Sequence, residues 1–310
     1  MKPFAIAIHG GAGTLVKGLM TSDLEASYKS TLTEAMDAGY AVLNMGGSAL
    51  DAVTASVCLL EDSPLFNAGK GSVFTAKGTH EMDAAIMDGA ALNAGAVSLI
   101  TGIKNPIQLA RDVMEQSPHV FLAGEGAMQF AQAQGYLLEE PSYFYDEVRY
   151  QQWQGIKDSD TFQLDHSAKK DGKFGTVGAV ALDGFGNVAA ATSTGGMTNK
   201  RWGRIGDSPL IGSGTYASNA TCAVSCTGSG EFFIRGVVAY DVSCLMEYKG
   251  MSLVDAAAKV IHERILKIGG DGGLIAVDVE GNVAMPFNTE GMYRAFKKWN
   301  GETALGIYKD

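Results

Sequence analysis

Apolar and polar positions alternate or recur along this chain in patterns that place most of its elements before any chemistry is considered. Phe4–His9 reads as a buried strand ending at Gly10-Gly11. Leu24, Tyr28, Leu32, Ala35, Met36 and Leu43 recur at helical spacing and predict a helix from Asp23 to about Leu43. Ser48-x-x-Asp51 is a capping signature for a second helix running to Leu60. Met82–Asp88 and Ala94–Ile100 read as strands, Asn105-Pro106 opens a helix through Glu115, and a further helical pattern covers Leu122–Ala133. Residues 156–173 then mix both charge signs without period, as a solvated linker does. The next stretch, Val177 to Asp183, is abruptly apolar.

Beyond that junction two segments share a pattern of apolar strand, Asp, two residues, Gly-Asn and a second apolar strand: Leu182–Ala189 and Val277–Ala284. Both predict β-hairpins, and each is followed by a Thr and Gly-Met element, at 192–197 and 289–292. Two helices lie between them, Phe232–Tyr248 and a Ser252-x-x-Asp255-capped run to Ile268. Strands and helices in blocks on both sides of the linker indicate a layered α+β protein, and a four-layer αββα sandwich accommodates the order.

Composition narrows the partners. With 310 residues, 46% hydrophobic and 19% charged, the chain can bury a large core as a single unit, 1–310. A net charge of −10 offers no basic footprint for nucleic acid or an anionic membrane, which leaves small-molecule or peptide substrates. Cys58, Cys222, Cys226 and Cys244 lack CxxC spacing and sit in apolar contexts, so free thiols are expected, as in a reducing compartment. No apolar run approaches 18 residues and the N-terminal run is too short for a signal h-region, so a cytoplasmic location is expected. The 40 glycines, about 13% of the chain and roughly twice the usual share, cluster in motifs such as GGAG, NAGKG and GGDGG. Glycine loops of this kind let backbone approach a ligand, or simply make tight turns.

The candidate chemistry lies at Gly175-Thr176, where the polar stretch meets the strand. Cleavage before Thr176 gives one residue both a hydroxyl nucleophile and a free α-amine that acts as its base, with a pKa near 7.7–8.0. The same hydroxyl can make the cut, attacking the Gly175 carbonyl in an N-to-O acyl shift that water completes. Gly175 has no Cβ to obstruct the attack. Thr227-Gly228-Ser229-Gly230 can present a hydroxyl and N–H groups to an oxyanion, or can be a helix N-cap with a glycine turn. Arg204 and Asp207, three residues apart in a glycine-containing loop, can hold an α-carboxylate and an α-ammonium, or can be an exposed ion pair.

These motifs together resemble the plant-type L-asparaginase and isoaspartyl peptidase family. The match rests on residues 175–183 (GTVGAVALD), 191–200 (ATSTGGMTNK), 203–210 (GRIGDSPL) and 225–231 (SCTGSGE), and is extended by HGGAG at 9–13, PLFNAG at 64–69 and PFNTEGM at 286–292. The resemblance implies an N-terminal-nucleophile hydrolase with αββα architecture. It would cut itself into an α-subunit (1–175) and a β-subunit (176–310) and assemble as a dimer of αβ units. It further implies Thr176 as nucleophile and base, Thr194 orienting it, Thr227 and Gly228 as oxyanion hole, and Arg204, Asp207 and Gly230 as substrate contacts, with Asn67 nearby. The backbone carbonyls of Leu60, Glu61, Ser63, Phe66, Ala68 and Lys70 would hold a structural sodium ion, and no catalytic cofactor is implied. The implied reaction is hydrolysis of isoaspartyl dipeptides and of the L-asparagine side-chain amide through a β-aspartyl ester on Thr176.

Other readings fit less well. His9-Gly10-Gly11 is like a lipase oxyanion loop, but no GxSxG is present; no GxxxxGK[ST] or HExxH occurs either. A glycosylasparaginase-like amidase usually has Asp before its nucleophile, and threonine aspartase carries a longer insertion. A homologue that never cleaves and binds an amino acid through Arg204 and Asp207 is the non-enzyme alternative.

Overall fold

The computed structural model describes residues 3–158 and 175–309. The predicted linker at 156–175 therefore falls largely outside the described residues. In chain order the strands are β1 (Ala5–Gly13), β2 (Met82–Asp88), β3 (Ala94–Ile100), β4 (Phe121–Ala123), β5 (Val177–Leu182), β6 (Val188–Thr194), β7 (Thr215–Ala217), β8 (Cys222–Gly228), β9 (Gly272–Asp278), β10 (Val283–Ala284), β11 (Gly291–Lys298) and β12 (Thr303–Tyr308). The helices are α1 (Ser22–Asn44), α2 (Ala49–Asp62), α3 (Pro106–Gln116), α4 (Gly124–Ala133), α5 (Glu147–Gln154), α6 (Gly230–Gly236), α7 (Val238–Lys249) and α8 (Leu253–Lys259).

Among the described residues the strands form two sheets, one of eight strands in the order β12-β11-β1-β5-β6-β2-β3-β4 and one of four in the order β10-β9-β8-β7. Three apolar clusters follow from this arrangement. Ile6, Ile8, Leu32, Val53, Val57, Ile86 and Val97 join the larger sheet to α1–α3, and Val224, Phe233, Val242, Ala257 and Leu274 join the smaller sheet to α6–α8. Between them, Ala5, Ala7, Val180, Leu182, Ala190, Ala223, Ile275 and Val277 fill the space where the sheets face each other. Strands of the larger sheet are thus apolar on both faces, which is why β5 and β6 read as continuous apolar runs and not as alternations.

Capping sets the helix starts. Ser48 Oγ accepts the Asp51 N–H at 3.1 Å and Ser252 Oγ accepts that of Asp255 at 3.2 Å, as their spacing predicts. Asn105 departs from its predicted capping role: its amide donates to the Cys58 carbonyl and the Asp62 carboxylate, tying α3 to the end of α2. The pattern at Leu122–Ala133 resolves into β4 and α4. The predicted Phe232–Tyr248 helix breaks in two at Val237, where φ is 48°, and the run to Ile268 passes through a π-helical turn at Val260–Arg264. β1 continues past its expected end to Gly13, with a register shift against β11 between His9 and Gly11; Gly11, at φ 112°, accommodates it.

Candidate active site

Strand pairing builds the centre of the site. β5 and β6 are an antiparallel hairpin in which Val177 pairs with Ser193, so Thr176, one residue before β5, comes opposite Thr194 at the end of β6. Thr176 Oγ1 donates to Thr194 Oγ1 at 3.2 Å, and Thr194 Oγ1 also accepts the Gly196 N–H at 3.0 Å. Ser208 Oγ lies 3.3 Å from Thr176 Oγ1. Thr176 is 7% exposed, and its hydroxyl meets other hydroxyls and no ionisable side chain among the described residues. A base for this oxygen must come from elsewhere, and the α-amine that cleavage would release is one bond chain away. Gly175 rests against Gly11: a Cβ on Gly11 would lie 2.8 Å from the Gly175 nitrogen and 2.9 Å from its oxygen.

A small, partly open cleft lies against Thr176, walled by Gly175, Thr194, Gly196, Arg204, Asp207 and Gly228 among others. Sequence reasoning thus nominated several residues that the fold does bring together from β5, β6, β8 and the 202–214 loop. Thr227, at the end of β8, accepts the Ala12 N–H at 3.2 Å, so its own hydroxyl proton remains for another acceptor. Gly228 cannot carry a side chain, since a Cβ there would collide with the Asp271 carbonyl. Gly230 is confined by side chains instead, with Arg204 Nη2 and Asp207 Oδ1 at 2.8 and 3.0 Å from where its Cβ would be. Ser229 occupies the N-cap position of α6, yet its hydroxyl goes to the Asp271 carboxylate and not to the helix backbone.

Arg204 and Asp207 share the cleft but differ in state. Arg204 grips Glu231 with two bonds, Nε to Oε1 at 2.9 Å and Nη2 to Oε2 at 2.8 Å. Burial works against charge on Glu231, but the Arg204 contact outweighs it and the carboxyl is held below its ordinary range. Asp207 is buried, and its Oδ2 has no partner among the described residues. Burial pushes its pKa up to about 7, against the pull of the Arg204 charge and with a small push from Glu231. A buried carboxylate with an open oxygen beside a cleft is suited to an ammonium group. Glu231 was not among the residues nominated from sequence, although it ends the motif containing Thr227; nor were Ser208 and His9 assigned roles, because contacts 32 residues apart for Ser208 with Thr176 and 216 apart for His9 with Ser225 leave no periodic signal.

Asn67 stands one step back from the cleft. Its Nδ2 donates to the Gly196 carbonyl at 2.7 Å, its Oδ1 accepts the Val73 N–H at 3.1 Å, and its carbonyl accepts from Gly195. It therefore clamps the turn that follows Thr194. The loop from Leu60 to Lys70 is wound tightly enough that a Cβ on Gly69, where φ is 51°, would collide with the Glu61 carbonyl, and one on Gly71 with that of Phe66. Glu61 itself is buried, with Oε1 accepting from Ile107 N–H at 3.0 Å and Oε2 without a hydrogen-bond partner among the described residues; burial pushes its pKa up to about 8. No group of three or more His, Cys, Asp or Glu side chains arranged for a metal occurs among the described residues.

Comparison with known proteins gives the family of the chain. A family profile described as Asparaginase matches residues 1–307. The chain is 53% identical over 313 residues to the isoaspartyl peptidase of Salmonella typhimurium, covering 100% of both proteins, and 53% identical over 308 residues to that of Escherichia coli, covering 98% of this chain and 96% of the relative. It is 43% identical over 304 residues to the plant-type L-asparaginase of Pyrococcus abyssi, covering 95% and 96%. With the profile spanning nearly its whole length and relatives this similar from end to end, the chain belongs to the asparaginase family.

Proposed function

We propose that this protein is an amidohydrolase that hydrolyses isoaspartyl dipeptides and the side-chain amide of L-asparagine, after cutting itself between Gly175 and Thr176. The observation that carries the reading is the position of Thr176: at the head of a central strand, hydrogen-bonded to Thr194, in a cleft shared with Arg204, Asp207 and Gly228. The names of the full-length relatives support an enzyme over a protein that only binds an amino acid.

In this reading the Thr176 hydroxyl gives its proton to its own α-amine and attacks the β-carbonyl of the substrate. The developing oxyanion accepts hydrogen bonds from the Thr227 hydroxyl and the Gly228 N–H. The amine returns the proton to the leaving nitrogen, ammonia or a peptide amine departs, and water then releases aspartate from the ester on Thr176. Thr194 holds Oγ1 in line. Asp207 takes the substrate α-ammonium, and Arg204 takes the α-carboxylate with the guanidinium edge that Glu231 does not occupy or by exchanging partners. Both substrates offer the same α-groups and differ only in the leaving nitrogen, which accounts for one site serving both.

The same reading assigns residues 1–175 and 176–310 to separate subunits of a dimer of αβ units in the cytoplasm. The succession of helices, sheet, sheet and helices supports the four-layer αββα sandwich of the N-terminal-nucleophile class. The carbonyls of Leu60, Glu61, Ser63, Phe66, Ala68 and Lys70 would hold a sodium ion that stiffens the loop ahead of Asn67. Intact-mass spectrometry of the purified protein tests the central claim: two fragments meeting at Gly175/Thr176 are expected, and Thr176→Ala should leave one 32.5 kDa chain without hydrolytic activity. An active, cleaved Thr176→Ala protein would sink the mechanism.

A further inference from the structure

The motifs GGDGG at 269–273 and PFNTEGM at 286–292 lie side by side in the fold, directly behind Gly228. The start of β9 runs between two neighbours. On one side is β8, where Gly228 faces Gly272 and Thr227 faces Gly273; on the other are residues 286–288, bridged to it between Phe287 and Gly273. Hydrogen bonds in an antiparallel ladder alternate in direction from one residue to the next. The Ser229 N–H donates across to the Asp271 carbonyl at 3.0 Å, so the Gly228 N–H, one residue earlier, points away from β9. On that side the Cys226 N–H still finds the Gly214 carbonyl at 2.9 Å, but the chain before Gly214 turns back on itself, Gly212 donating to the Thr215 carbonyl at 2.8 Å. The ladder therefore stops short of Gly228, where Asp207 and Ser208 pack against Gly214 and wall the cleft.

The same alternation turns the Gly272 N–H and carbonyl away from β8, and Asn288 takes both. Its Oδ1 accepts the Gly272 N–H at 2.8 Å, and its own backbone N–H donates to the Gly272 carbonyl at 2.9 Å. Its Nδ2 donates to the Ile261 carbonyl at 3.1 Å and to the Gly270 carbonyl at 3.3 Å, so one side chain ties the start of β9 to the π-helical turn at Val260–Arg264. Gly228 and Gly272 meet backbone to backbone: a Cβ on either would lie 2.7 Å from the Cα of the other, with the Phe233 ring 2.8 Å from both. Atoms packed this closely transmit a displacement, so a shift of Gly272 moves Gly228. The Ser229 hydroxyl, bonded to the Asp271 carboxylate, closes the same turn from the β8 side. We propose that Asn288 is a positioning residue for the oxyanion hole: by fixing Gly272 it fixes Gly228, and so aims the Gly228 N–H at the β-carbonyl oxygen of the substrate. The reading of Thr227 and Gly228 as oxyanion donors is its premise. Asn288 acts only through the backbone atoms it holds.

The test measures kcat per cleaved site and KM for L-asparagine in three variants, with cleavage quantified by mass spectrometry. Asn288→Ala removes the acceptor and the donors together; Asn288→Asp keeps the acceptor for Gly272. Asn282→Ala, the control, removes an amide of the same size from the hairpin at the far end of β9, where it donates to Asp278 at 2.9 Å. For Asn288→Ala, kcat should fall between about tenfold and a hundredfold, somewhat less than for outright loss of an oxyanion donor. KM and the affinity for L-aspartate should change less than about threefold, because Arg204 and Asp207 are untouched. An isoaspartyl dipeptide should lose the same factor, since both substrates form the same oxyanion. Asn288→Asp should recover most of kcat, and Asn282→Ala should keep the wild-type value. Wild-type kcat in Asn288→Ala, a loss that lies in KM or in L-aspartate affinity, or an equal loss of kcat in Asn288→Asp or Asn282→Ala would overturn the proposal. Should Asn288→Ala fail to fold, Asn288→Asp and hydrogen exchange of the wild-type protein decide it: the Gly272 amide should exchange as slowly as that of Ile275 within the β8–β9 ladder, and rapid exchange would mean that Asn288 does not hold it. A fully active Thr227→Ala protein would remove the premise, whereas an impaired one beside a fully active Asn288→Ala protein would remove the Asn288 role alone.

Discussion

Asp207→Asn should make the protein more stable and less active, and the size of the stability gain can be worked from the site. The Asp207 carboxyl is raised by burial from its ordinary 3.8 to about 7, a shift of about 3 units, with Arg204 opposing and Glu231 assisting. At about 1.4 kcal/mol per unit, ionised Asp207 costs the folded state about 4 kcal/mol once the pH exceeds the folded value. Below the unfolded pKa both states are protonated and nothing is lost. Between the two values the unfolded chain releases a proton that the folded chain keeps, so stability declines as pH rises and levels off above about 7. Asparagine at 207 has nearly the same shape and no charge to bury, so the variant should match the parent near pH 4 and exceed it by about 4 kcal/mol near pH 8. Denaturant unfolding across this range, in a Thr176→Ala background that keeps the chain in one piece, measures the difference. In the Thr176-containing protein, kcat/KM for L-asparagine should fall between about tenfold and a hundredfold, the loss expected for a charged hydrogen bond to the substrate ammonium. A stability difference that ignores pH, or a variant less stable than its parent near pH 8, would refute the claim that burial dominates at Asp207.

Three further outcomes follow from the same geometry. Gly11→Ala would bring a methyl group against the Gly175 backbone at a φ of 112°, so self-cleavage followed by gel electrophoresis should slow at least tenfold; wild-type timing would mean that Gly175 does not rest there. Glu231→Gln removes the charge that holds the Arg204 fork and should change KM for L-asparagine by several-fold while leaving self-cleavage near its normal rate, as measured by steady-state kinetics and mass spectrometry. Unaltered KM would place the substrate carboxylate away from Arg204. Exchange of sodium for a bulky organic cation should lower the melting temperature by a few degrees if the Leu60–Lys70 carbonyls hold the ion, and a calorimetric scan unaffected by the exchange would remove the ion from the proposal.

Local signals were legible where one segment decides its own conformation. The caps at Ser48 and Ser252 and the strands at 82–88 and 94–100 appear where the residue pattern places them, because capping and buried-strand composition act over a few positions. Asn105 misled because a distant partner, the end of α2, competes for its amide. Helix α5 and strands β11 and β12 had no strong pattern; β11 and β12 form as partners on the edge side of β1, a context absent from their own residues.

The sequence by itself determined the nucleophile candidate, since Gly-Thr at the boundary between polar and apolar stretches is a property of neighbours, and it determined the family, since several ordered motifs span the chain. Only the tertiary structure decided how those motifs meet. Antiparallel register sets Thr176 against Thr194, and sheet-on-sheet packing brings β8 and its Thr227-Gly228 turn toward the head of β5. The fold also closes Arg204 onto Glu231, leaves Asp207 buried with an open oxygen, and gathers buried hydroxyls from three strands and a loop between His9 and the nucleophile. The reason is physical: capping and periodicity are local, whereas desolvation and hydrogen bonding depend on which distant atoms exclude water together.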